Sequence, residues 1–143
     1  MKQRLAALGL MLLVSAVPGN AWSQTATEMD QTLDQLFGAH KPYHDFFVAL
    51  QAAVKAHDKA AVAAMVDYPI EVHVGGHKVK IHDPAHFEKD YAQIMTQKIV
   101  DAVGKQTYPT LFARDQGVMI GDGEVWFSGV GASGHVRITA INN

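Results

Sequence analysis

Four histidines, His73, His77, His82 and His86, fall within one stretch of fourteen residues, and imidazole is a common ligand for zinc, copper and nickel. Their spacing matches no standard zinc pattern, and Lys78 and Lys80 stand among them, where they would repel a cation. Metal binding outside the cytoplasm through the His73–His86 cluster, with His82 and His86 closest across a strand-to-helix junction, is one reading. Solvated imidazoles on a hairpin are the other. A second constellation is Asp67, Asp90 and Tyr91. A sheltered carboxylate beside a tyrosine abstracts a proton α to a carbonyl, which would make the chain a small isomerase or hydrolase. The plainer alternative has Asp67 capping a hairpin entry and Asp90 on an exposed helix face. Tyr91 is then core, its hydroxyl bonded to backbone.

A third group, Arg114, Glu124, Trp126, His135 and Arg137, belongs to strands whose alternation puts Arg114, Trp126, His135 and Arg137 on the face away from the core. Glu124 is expected on the side of Trp126, within reach of Arg137. An aromatic ring beside a guanidinium recognises an anionic or aromatic ligand, or anchors a partner protein. A dimer interface is the alternative use of the same residues. Together with Tyr91 these are the candidate ligand- or partner-binding residues. No residue is assigned a catalytic role, and no metal or cofactor is expected. No serine sits in a nucleophile elbow and no phosphate loop is present; Gly121-Asp122-Gly123 is too short to cradle a dinucleotide phosphate.

These side chains need a scaffold, and the chain supplies one after a leader. Lys2 and Arg4 precede the apolar run Leu5 to Val17; Pro18, Gly19 and Asn20 then break it before the small residues Ala21 and Ser23. Residues 1–23 therefore read as a signal peptide cleaved after Ala21 or Ser23, leaving a soluble periplasmic or secreted protein. No later stretch is apolar enough to anchor it in a membrane. Cysteine is absent, which removes disulfides, thiolate chemistry and a lipid anchor together. Without Lys2 and Arg4, ten basic groups face fourteen acidic ones, and no basic stripe exists to hold nucleic acid. The remaining length, about 120 residues, buries roughly two thirds of its surface as a single domain.

Residues 24–41 read as an N-terminal arm with a short helix, loosely docked, capped by Thr27 with Asp30 and stopped by Gly38. The domain proper spans 42–143. Pro42 opens a helix with Phe46, Phe47, Leu50 and Val54 on one face, and Asp58 caps a short third helix. Ile70–Val74 and Val79–Ile81 flank a Gly75-Gly76 turn, which sets Val72 opposite Val79 and Glu71 opposite Lys80. Asp83-Pro84 starts a long helix running to Val103, stopped by Gly104. Strands follow at 107–113, 117–121, 124–128 and 135–141. The pattern predicts an α+β fold with helices on one face of a curved antiparallel sheet of about four strands.

The element order resembles the nuclear-transport-factor-two-like superfamily, the cystatin-like α+β cone, and within it small exported bacterial proteins. The likeness rests on Asp67-Tyr68-Pro69-Ile70 and on Phe87 with Asp90-Tyr91. It rests further on Gly117-Val118-Met119-Ile120-Gly121-Asp122-Gly123-Glu124-Val125-Trp126-Phe127 and on the ending Val136-Arg137-Ile138-Thr139-Ala140-Ile141-Asn142. It spans Pro42 to Asn143, and the glycine-rich hairpin is its most specific part. The resemblance implies a homodimer. In enzymes of this fold an Asp or His inside the cone shuttles protons, but no complete catalytic motif maps onto this chain. The expected function is thus a non-catalytic binding module, for a small ligand in the cone or a partner protein, with an inhibitor or toxin-neutralising role as one form.

Overall fold

The computed structural model describes residues 23–143. The expected leader, residues 1–22, lies outside the described residues. Three helices come first: α1 (Ala26–Phe37), α2 (Lys41–Lys55) and α3 (Lys59–Ala63). The α1 capping box is Thr25 with Glu28, not Thr27 with Asp30; Asp30 instead accepts the Tyr108 hydroxyl at 2.6 Å. Gly38 ends the helix in the left-handed conformation at φ 82°, as expected. Met29 and Leu33 are almost fully buried, so the segment read as an arm is bound into the core.

Strands β1 (Ile70–Val74) and β2 (His77–Ile81) form a hairpin in the expected register, Val72 opposite Val79 and Glu71 opposite Lys80. The ion pair runs diagonally, however: Glu71 meets Lys78 at 3.0 Å. The expected long helix is three pieces, α4 (Pro84–Lys89), α5 (Tyr91–Ile94) and α6 (Gln97–Lys105). Its apolar stripe is real, for Phe87, Tyr91, Ile94, Ile99 and Val103 are all buried. The break falls where Thr96 takes an extended conformation. Asn143 explains how it is tolerated: its amide donates to the carbonyls of Gln93 and Ile94, which a continuous helix would have satisfied internally. Gly104 stops nothing; it lies inside α6, and Gln51 of α2 closes that helix by donating to the carbonyls of Val103 and Gln106.

The expected strand at 107–113 is mostly a 3-10 turn, Tyr108–Thr110, with β3 reduced to Phe112–Arg114. Pro109 and the Thr107–Thr110 hydroxyl contact favour that turn over a ladder. β3, β4 (Gly117–Ile120), β5 (Val125–Val130) and β6 (His135–Ile141) then make a four-stranded antiparallel meander in chain order. This is the α+β architecture expected, two antiparallel sheets with helices packed on one face of the larger. Val118, Ile120, Val125, Phe127, Val136 and Ile138 point inward against Phe46, Phe47, Leu50, Ile99 and Val103. Burying each such side chain stabilises by about 1.5–3 kcal/mol, which is how a chain without disulfides holds together.

Candidate functional site

Alternation leaves Phe112, Arg114, Met119, Trp126, Ser128 and Arg137 on the outer face of the larger sheet. The register makes them neighbours: Phe112 lies opposite Met119, Met119 opposite Trp126, and Ser128 opposite Arg137. Arg114 stacks on Trp126 with its guanidinium carbon 5.5 Å from the ring centroid, and also donates to Gln116. Phe112 is 49 % exposed, a large apolar side chain held out beside that pair. His135 is exposed at the far end of the face, opposite Val130. No outward position of β3–β6 carries a carboxylate. The result is an aromatic strip with cationic ends.

Glu124 leaves this group, and Arg137 makes a different contact from the one expected. Glu124 is buried away from Arg137: it accepts from the Asp122 backbone N–H at 2.6 Å and lies 3.6 Å from the Lys98 ammonium. Burial alone would raise its pKa, but those backbone N–H groups and Lys98 together hold it below the ordinary value of 4.5. It braces the β4–β5 turn. Arg137 turns instead to the carbonyl of Val136, at 2.9 Å. The expected Glu124–Arg137 pair does not form, because both groups find backbone partners closer at hand.

Nor is the proton-transfer set assembled. Asp67 is exposed, and its contribution to the fold is a backbone N–H given to Ile138. Asp90 is half-buried and faces His86, at 3.3 Å, not Tyr91. Tyr91 is core, as the plainer reading had it, but its hydroxyl is buried without any hydrogen-bond partner, and burial raises its pKa. Lys59 sits over the ring at 5.9 Å. The histidines disperse likewise: His73, His77 and His82 are exposed, while His86 goes to Asp90. Among the described residues no three of His, Asp and Glu converge to hold a metal ion.

Three features were not read from the sequence. One is the cluster of Asp30, Tyr108 and His44, in which the His44 ring meets Tyr108 edge-on at 4.5 Å. The second is the Asn143 clasp, which also exchanges hydrogen bonds with the His73 backbone. The third is a groove beside β6, at the N-terminal end of α2. Each joins residues far apart in the chain, so no local pattern announces it.

Among known proteins, no family model, no curated protein and no solved structure matches the chain. Among the described residues no helix is long and apolar enough to cross a membrane.

Proposed function

We propose that this protein is an exported, non-catalytic binding module of the nuclear-transport-factor-two-like type. Its outer sheet face docks a protein surface, in the first instance a second copy of itself. The observation that carries the reading is the half-exposed Phe112 set beside Met119 and the Arg114–Trp126 stack. Aromatic rings and arginine are the residues that anchor protein interfaces, and exposing them to water has no structural return within one chain. The inner face of the sheet favours a protein partner over a small ligand there, since core side chains such as Phe46, 5.1 Å from Phe127, occupy it. The scattered Asp67, Asp90 and Tyr91 side chains support a binding role over an isomerase or hydrolase.

The test is sedimentation equilibrium on protein recovered from the cell envelope, with Phe112→Glu as the comparison. A dimer at micromolar concentration that becomes monomeric in the variant, with unchanged far-UV circular dichroism, is the expected result. A monomeric wild type at that concentration would sink self-association. Intact mass on the same sample reports the leader: a start at residue 22 or 24 fits export, and a start at residue 1 contradicts it.

A further inference from the structure

The β6 strand has two edges, and only one is fully paired. β5 takes the first. On the second, the chain's own Met65–Asp67 segment lies parallel to β6, with Ile138 giving its N–H to Met65 and accepting from Asp67, at 2.8 and 2.9 Å. Backbone groups alternate along a strand, so the N–H and C=O of Val136 project from that same edge, two residues earlier. Met65–Asp67 does not extend that far. The Val136 carbonyl takes the Arg137 guanidinium instead.

Beside this open stretch lies a groove of about 480 Å³, walled by α2 and by the start of β6. Phe46, Ala49 and Met65 give it an apolar side, while His135 and Arg137 stand on its rim. Its one carboxylate, Asp45, is already paired with Lys41 and has its pKa lowered by that contact. The free charge on the rim is therefore positive. The other open edges are guarded differently: β2 carries Lys78 and Lys80, and β3 is three residues long. His135–Arg137 carries a single cation, Arg137, whose guanidinium rests on the Val136 carbonyl.

We propose that the β6 edge at His135–Arg137 is a strand-addition site for an extended, acidic segment of a partner protein. The incoming backbone pairs with Val136, one set of its alternating side chains enters the groove against Phe46, Ala49 and Met65, and the other set stays outside. Its N–H replaces the guanidinium on the Val136 carbonyl, and the released Arg137 pairs with a carboxylate of the segment. The site shares His135 and Arg137 with the outer face, but its backbone pairing is made at the strand edge, away from Phe112, Met119 and Trp126.

The probe is a blocked hexapeptide of alternating valine and glutamate, titrated into the full chain with amide hydrogen exchange and NMR shifts as readouts. The expected result is saturable binding with slowed exchange at the Val136 amide. Replacing glutamate by lysine, or placing proline at the centre of the peptide, should abolish it. Arg137→Ala should weaken binding about tenfold, the scale of one charge-assisted hydrogen bond. Ala49→Tyr, at an exposed helix position, should block the groove while leaving the fold intact. No saturation, equal binding of the lysine or proline peptide, or binding without protection at Val136 would overturn the proposal.

Discussion

Gly121 has φ 65°, and a methyl group there would run into the Glu124 carboxylate and meet the Ala102 side chain at 3.2 Å. Gly121→Ala should therefore cost about 1–3 kcal/mol, read as a lower urea midpoint with an unchanged slope. Glu124 itself gives a pH dependence. Its folded pKa is depressed, so its contribution is fully present above 4.5 and is lost as pH falls through the folded value. Glu124→Gln should flatten the acid limb of the stability curve compared with wild type, as followed by thermal melts from neutral pH downward. The third residue-scale case is Tyr91. Its hydroxyl is buried without a partner, so Tyr91→Phe removes a desolvation penalty and keeps the ring. Unfolding in urea should show the variant equal to wild type or up to about 1 kcal/mol more stable. A clear loss of stability would mean that the hydroxyl is satisfied in solution.

At the scale of elements, local signals and long-range contacts divide the work. The β1–β2 hairpin follows from Gly75-Gly76 and flanking alternation, so its register was legible in advance. The Asp58 and Asp83 caps were legible too, since each accepts the backbone N–H three residues on. The helix after Asp83 was not. Its apolar spacing is continuous, and nothing near Met95 or Thr96 says that an asparagine about fifty residues later will hold the carbonyls of Gln93 and Ile94. Asn143→Ala should cost about 1 kcal/mol and speed amide exchange in β1 and at the start of α6, because the carbonyls of His73, Gln93 and the part-buried Ile94 lose their donor. If exchange in those elements is unchanged, the clasp does not hold them.

For the molecule as a whole, the relevant question is what covers the outer sheet face. If a second copy does, folding and association are linked, and the melting temperature should rise with protein concentration. Phe112→Glu should remove that dependence while leaving the low-concentration melting temperature near wild type, since Phe112 makes little of the core. A melting temperature independent of concentration in both proteins would point away from a self-made interface and leave the strip to another protein.

The sequence alone determined what short-range physics controls: the α+β order of elements, the hairpin register, two helix caps and the face on which Trp126, Arg114 and Arg137 would lie. Period-two and period-3.6 patterns carry that information because side-chain direction repeats with the backbone. Which of those residues meet was decided only in three dimensions. Arg114 found Trp126, Glu124 found Lys98 and a turn, Asp90 found His86, and Arg137 found the open edge of its own strand. Charged and hydrogen-bonding side chains take the nearest group that relieves their desolvation, and the tertiary structure sets which group is nearest.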